Sequence, residues 1–264
     1  MIRPQPLTRR SLLADLGRGS LVVAIFGPAA VACAGSSPAT ASPERTGTVD
    51  ATTASTEAEA EDVVGDPDSE LAWHPVSFGF VSAYLLVRGS DVAIVDTGTR
   101  GNADRIGEAI TAIDLDWSDV DHVILTHLHG DHVGGLPEVL DRSTTAKAYA
   151  GAADVEGIES PRALTPLNDG DEVFGMEIVA TPGHTAGHIS VLDPAGSILV
   201  AGDALNTESG RVLGANPEFT ADIGAAGQSI RTLATRRFDT VVVGHGDPVE
   251  GEASALVATL AESL

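Results

Sequence analysis

Within six residues the chain carries His127, His129, Asp131 and His132, spaced as His-Leu-His-Gly-Asp-His. The stretch before them, His122–Leu125, has strand character. While the chain stays extended beyond it, alternate residues point the same way, so His127 and His129 can converge on one ion. Asp131 and His132 follow where a helix would begin and can turn toward a second ion. Three more metal-competent residues stand where apolar runs end: His184 within Thr-Pro-Gly-His-Thr-Ala-Gly-His (181–188), Asp203 after Ile198–Ala201, and His245 after Val241–Gly244. A lone histidine would be read as a packing or surface residue. Five of the eight, in this order and with two aspartates, are read as a metal centre.

Imidazole nitrogen and carboxylate oxygen suit zinc foremost, with iron or manganese as alternatives. The single cysteine, Cys33, excludes an intramolecular disulfide and a thiolate-built site. A carboxylate can bridge two cations, and two ions ~3.5–4 Å apart can activate a shared water while polarising the bond to be broken. That is hydrolytic chemistry. The remaining histidines read differently: His74 and His122 as surface or packing residues, His188 as a support behind the ligands. Tyr84 and Tyr149 read as core aromatics.

The elements that must position these residues follow from apolar patterning. Strands are predicted at Val76–Val81, Tyr84–Val87, Val92–Val95, His122–Leu125, Glu177–Ala180, Ile189–Leu192, Ser197–Val200 and Thr240–Val243. Asp193-Pro194-Ala195-Gly196 is a turn sequence joining two of them as a hairpin. Helical spacing occurs at Ile106, Ile110 and Ile113, at Val133, Leu136 and Leu140, and at Leu256, Leu260 and Leu264. Mixed strands and helices in this order predict an α/β or α+β fold with helices covering the sheets. Loops at Trp73–Tyr84, Ala150–Asp171 and Asn206–Phe219 are the expected cleft lining.

Three regions are expected along the 264 residues. Residues 1–32 carry Arg3, Arg9, Arg10 and Arg18 before the uncharged run from Gly19, and read as an export signal of twin-arginine type. Ala30-Val31-Ala32-Cys33 reads as a lipobox, so a lipid anchor at Cys33 is the one expected membrane contact. Residues 33–70, rich in Ser, Thr, Ala and acidic residues, cannot bury enough apolar area to order themselves and read as a tether. Residues 71–264 are the expected catalytic domain, on an exported and lipid-anchored, otherwise secreted or periplasmic, protein. A net charge of −23 argues against nucleic acid as partner, because phosphate affinity comes from clustered cations. A small-molecule substrate is expected instead.

The run from His127 to His132 resembles the HxHxDH motif of the metallo-β-lactamase superfamily, and Ile94-Val95-Asp96-Thr97-Gly98 resembles that family's preceding motif. The resemblance, which spans Tyr84 to Pro248, implies a four-layer αββα sandwich. It implies His127, His129 and His184 on a first metal, Asp131, His132 and His245 on a second, and Asp203 between them, with Asp96 supporting the metal loop. Asp203 stands where one class of zinc β-lactamase carries cysteine, so the chain resembles the lactonase and glyoxalase II branch more closely. A glutathione thioester is disfavoured, since about one helix follows His245 where glyoxalase II carries a helical extension.

The function these readings imply is hydrolysis of an ester, lactone or thioester by a hydroxide held between two divalent ions, with Asp131 as ligand and proton acceptor. Alternatives are a persulfide dioxygenase with one iron, a β-lactam hydrolase and, last, a non-catalytic metal-binding surface protein.

Overall fold

The structure, a computed structural model, describes residues 70–264. The export signal read over 1–32, the lipobox at Cys33 and the tether read over 33–70 lie outside these residues, Glu70 apart. No helix among the described residues is long and apolar enough to cross a membrane.

Alternating burial along short strands builds the core. β1 (Leu71–Ser77), β2 (Ser82–Arg88), β3 (Asp91–Val95), β4 (Val120–Leu125), β5 (Lys147–Gly151) and β6 (Thr165–Leu167) lie side by side in chain order. The first three are antiparallel; β3 to β6 run parallel. A second sheet is made of β7 (Glu172–Val173), β8 (Met176–Ala180), β9 (Ile189–Asp193), β10 (Ile198–Val200) and β13 (Thr240–Val242), in the order β13-β10-β9-β8-β7. Between β10 and β13 the chain forms a separate hairpin of β11 (Leu205–Glu208) and β12 (Arg211–Gly214).

Side chains alternate across each strand, so each sheet feeds two apolar layers. Leu85, Val87, Ile94, Val123 and Leu125 pack against α1 (Ala103–Ala112) and α3 (Leu136–Arg142). Tyr84, Leu86, Val95 and Ile124 point the other way and meet Ile178, Val191, Val200 and Val242 of the second sheet. On the far side, Val179, Leu192, Leu199 and Val241 pack with Ile230 and Leu233 of α4 (Ile223–Leu233) and Val257 of α5 (Ala253–Glu262). The result is helix, sheet, sheet, helix. Each large apolar side chain so buried contributes about 1.5–3 kcal/mol.

Several expectations are corrected. The strand read at Val76–Val81 ends at Ser77, because Phe78–Val81 is a turn in which Phe78 N–H donates to the Val81 carbonyl at 2.8 Å. The helix read through Val133, Leu136 and Leu140 is two helices, α2 (Gly130–Val133) and α3, separated at Gly134–Gly135. A Cβ at Gly134 would lie 2.4 Å from the Gly130 carbonyl oxygen and one at Gly135 would lie 2.3 Å from that of Thr97, so backbones meet there. In α5 the buried stripe runs through Ala253 and Val257, leaving Leu256 and Leu264 exposed. Helix α4 escaped the pattern because its buried face is partly small, Ala226 and Ser229 beside Ile230 and Leu233. The Asp193–Gly196 turn does join β9 to β10 as a hairpin.

Candidate metal centre

Asp96 follows β3 in the left-handed region at φ 63°, a conformation uncommon outside glycine, asparagine and aspartate and stabilised here by its surroundings. Its carboxylate supplies that stabilisation. Oδ1 accepts Thr126 N–H at 2.8 Å; Oδ2 accepts the Thr126 hydroxyl at 2.8 Å and His132 Nδ1–H at 2.7 Å. Thr97 adds two donors, N–H and hydroxyl, to the His132 carbonyl at 2.7 and 3.0 Å. The ends of β3 and β4 are thereby lashed to the first turn of α2. Before that turn His129 is still extended at φ −68°, ψ 143°, so His127 and His129 share a side.

The hydrogen-bond partners also settle which nitrogen of four of the imidazoles faces the cluster. Thr126 spends its proton on Asp96, so His127 Nδ1–H donates to the Thr126 oxygen at 3.0 Å. His184 Nδ1–H donates to Thr220 at 3.2 Å, whose own proton goes to the Asn216 carbonyl. His245 Nδ1–H donates to the Phe80 carbonyl at 2.7 Å. With His132 on Asp96, four imidazoles are held with Nε2 facing inward.

Those nitrogens converge. His129 Nδ1 lies 3.1 Å from His127 Nε2 and 2.9 Å from His184 Nε2. Asp203 is adjacent to both halves of the cluster: Oδ1 is 3.4 Å from His132 Nε2, and Oδ2 is 3.4 Å from His184 Nε2 and 3.3 Å from His245 Nε2. Asp131 Oδ2 is 3.4 Å from His245 Nε2. All seven residues singled out in the sequence meet in one place, in three sets with ligand atoms within 4.8 Å of one another: His127, His129 and His184; His127, His132 and Asp203; Asp131, His132 and His245. His132 Nε2 and Asp203 Oδ1 are buried without a hydrogen-bond partner.

Burial and mutual repulsion set the charges. Desolvation drives His127 well below the ordinary imidazole value, with the other imidazoles adding to it. Burial lowers His184 to about 4. His245 goes the other way, raised to about 10 by its contacts with Asp131 and then Asp203. The same contact with His245 is the main reason that Asp131 falls to about 2. For His132 burial opposes the charged form, yet Asp96, Asp203 and Asp131 outweigh it and the value rises. For Asp203 burial is likewise outweighed, by His245 and the neighbouring imidazoles, and the value falls.

His188 is buried behind the cluster: Nε2 accepts Asp203 N–H at 3.0 Å, so Nδ1–H donates to Thr181, Thr181 to Ser190, and Ser190 to the Ala201 carbonyl. Burial lowers it to about 3. His74 lies half-buried on β1, away from the cluster, and His122 packs with Tyr149 and Phe174. Buried Tyr84 donates to the Val243 carbonyl at 2.8 Å, tying the first sheet to the strand that leads to His245.

Beside the cluster opens a cleft of about 630 Å³ walled by Phe80, Asn206, Asn216 and Phe219. The segments read at Trp73–Tyr84 and Asn206–Phe219 supply these walls; Ala150–Asp171 does not line it. That segment contributes instead Asp154, which sequence reading missed. Its buried carboxylate accepts Leu128 N–H, the Thr185 hydroxyl and Gly187 N–H, binding the loop of His129 to the loop of His184. One aspartate in a short turn gives no pattern by which to find it. Thr126, beside the motif, was equally unmarked.

Residues 76–245 match the sequence model of the metallo-beta-lactamase superfamily. The chain belongs to that superfamily. Metallo-beta-lactamase domain-containing protein 1 of Xenopus laevis is 35% identical over 177 residues, 62% of this chain and 70% of that protein. Bacillus subtilis YobT is 27% identical over 207 residues, 67% of this chain and 87% of its own length. Among solved structures, a protein in a di-iron-bound form superposes with a TM-score of 0.60 at 25% identity, covering 72% of this chain and all (100%) of its own. The four-layer sandwich is thus the metallo-β-lactamase fold, and the histidine and aspartate sets are those of a superfamily metallo-hydrolase able to bind divalent metal.

Proposed function

We propose that the protein is a hydrolase loaded with two divalent ions, zinc foremost and iron or manganese as alternatives, that cleaves an ester, lactone or thioester at its carbonyl. The reading is carried by the two orphaned atoms, His132 Nε2 and Asp203 Oδ1, buried and 3.4 Å apart. An unsatisfied buried polar atom costs about 1–3 kcal/mol, and metal ligation removes that cost for both. His127, His129 and His184 would hold one ion, Asp131, His132 and His245 the other, and Asp203 both. The convergence of His127 Nε2 and His184 Nε2 on His129 Nδ1 fits this assignment, since burial holds both imidazoles neutral and ready to ligate.

When bound, the ions supply Lewis acidity, which lowers the pKa of water and polarises a carbonyl. The chain supplies orientation and proton handling. Four Nδ1–H bonds hold His127, His132, His184 and His245 with Nε2 inward, so none of these four must turn on loading. Asp131 is ionised at neutral pH, and its Oδ2 is the group assigned to take the proton leaving the attacking water. Metal content and oxygen consumption discriminate this reading from a one-iron dioxygenase. The di-iron form of the structural neighbour supports including iron among the metals tested.

The test is metal analysis of the purified protein beside a panel of lactone, aryl ester, thioester and β-lactam substrates, with chelator and after reloading with Zn, Mn or Fe. About two ions per chain and hydrolysis that chelator abolishes are expected. One iron per chain, no hydrolysis and oxygen uptake with a persulfide would overturn the reading. Replacing Asp131 with Asn should lower turnover at least tenfold. Unchanged turnover at full metal content would remove Asp131 from its role. We also propose export with lipidation at Cys33, which mass spectrometry of the mature N-terminus tests directly.

A further inference from the structure

The two most exposed large apolar side chains among the described residues, Phe80 at 65% and Phe219 at 64%, both wall the cleft beside the metal centre. Phe80 lies in the turn between β1 and β2, its ring stacked on His245 at 6.1 Å between centroids with 10° between planes. Phe219 lies between β12 and α4, where Asn216 holds the loop by accepting from Glu218 N–H, Phe219 N–H and Thr220. Each phenylalanine therefore sits on a loop that also orients a histidine, Phe80 through its carbonyl on His245 and Phe219 through its neighbour Thr220 on His184. The apolar walls cannot drift from the reacting centre without moving its ligands.

A second hollow of about 450 Å³ shares His129, His184 and Phe219 with this cleft and is lined further by Leu128, Thr185, Ala186 and Glu218 among others. Among the described residues neither hollow is lined by a lysine or arginine, and the charge added by Glu218 is negative. An acyl chain bearing a remote carboxylate would bring that charge between two phenyl rings or against Glu218 with no cation to receive it. Against the phenyl rings such a carboxylate gains no hydrogen-bond donor to offset lost hydration, and the chain's net charge of −23 opposes its approach.

Resting on the hydrolase reading above, we infer that the substrate is a neutral acyl compound whose apolar chain lies between Phe80 and Phe219, and that substrates carrying a carboxylate on that chain are rejected. The metal ions set where the carbonyl is attacked; the phenylalanines set which acyl group arrives.

The experiment compares matched aryl esters of acetic, hexanoic and adipic acid, the last two of similar length but ending in methyl or carboxylate. Hexanoyl is expected to exceed adipoyl in kcat/KM by at least tenfold and to exceed acetyl through a lower KM. Phe219→Ala should shrink the hexanoyl-to-acetyl ratio about fivefold, and Phe219→Arg should raise the adipoyl-to-hexanoyl ratio about tenfold. A structural defect would depress all three esters together and leave both ratios unmoved. Equal rates for hexanoyl and adipoyl, or ratios insensitive to residue 219, would overturn the proposal. Calorimetric binding of the uncleaved hexanoyl and adipoyl amides to the metal-loaded protein keeps the two readings distinguishable. If no ester is cleaved but the hexanoyl amide still binds preferentially, the hydrolase reading fails and the cleft assignment stands; equal binding of the two amides overturns the cleft assignment.

Discussion

His132 Nδ1 lies 2.7 Å from Oδ2 of Asp96, a residue itself held at φ 63° by the hydrogen bonds it accepts. One carboxylate thus fixes a strand end, a threonine and an imidazole at once. Asp96→Asn spares the backbone, because asparagine tolerates a positive φ, but removes the charge facing His132 and replaces one of the two accepting oxygens with a donor. The variant should fold, by circular dichroism, and lose roughly 10–100-fold in metal affinity by chelator competition. Affinity equal to that of the parent would show that Asp96 serves the backbone alone.

Gly244 tests the centre from the other sheet. A Cβ there would lie 2.2 Å from Asp203 Oδ1 and 2.5 Å from His132 Cε1, inside contact distance of the two residues whose buried atoms are orphaned. Gly244→Ala should displace the carboxylate and reduce bound metal below two ions per chain, with the helical and strand content retained. Full metal occupancy in that variant would mean the loop yields where the packing says it cannot.

Metal uptake should release protons. In the metal-free protein His245, raised to about 10, carries a proton at pH 7.5 and His132 is shifted in the same direction, whereas His127 and His184, lowered by burial, are neutral. Ligation requires the neutral imidazole, so loading at pH 7.5 should expel roughly one to two protons. Calorimetry in buffers of different ionisation enthalpy measures the number. Zero release would show that the histidines enter binding already neutral.

His188 makes a stability prediction with a definite sign. Its folded value of about 3 lies below the ordinary 6.5, so the unfolded chain binds the proton more readily. Stability is fully present above about pH 6.5 and falls as pH drops toward 3. His188→Gln should be less stable at pH 7 by about 1–3 kcal/mol, through the damaged hydrogen-bond chain. Its urea midpoint, measured in chelator, should also vary less between pH 6.5 and 3 than the parent's. A parallel pair of pH profiles would contradict the assignment.

Much of this was legible in the residues themselves. The candidate ligands were readable because metal ligation restricts side-chain type and because strand ends are the natural place to gather residues distant in sequence. Strands β3, β4, β8 and β9 were readable because both their faces are buried, which leaves nearly continuous runs of Val, Ile and Leu. Helix α4 was not, because small residues suffice where it lies close to the sheet.

Tertiary structure decided what spacing does not encode. No pattern in sequence joins Phe80 to His245, 165 positions apart, or brings Asp154 onto the backbones of Leu128 and Gly187. A lone buried carboxylate or a turn carbonyl acquires its role only when the two sheets close and one loop meets another. The sequence alone determined which side chains could bind metal. The packing of the sandwich determined which nitrogen each imidazole turns inward, which carboxylate stands between the two halves of the cluster, and which apolar side chains wall the cleft.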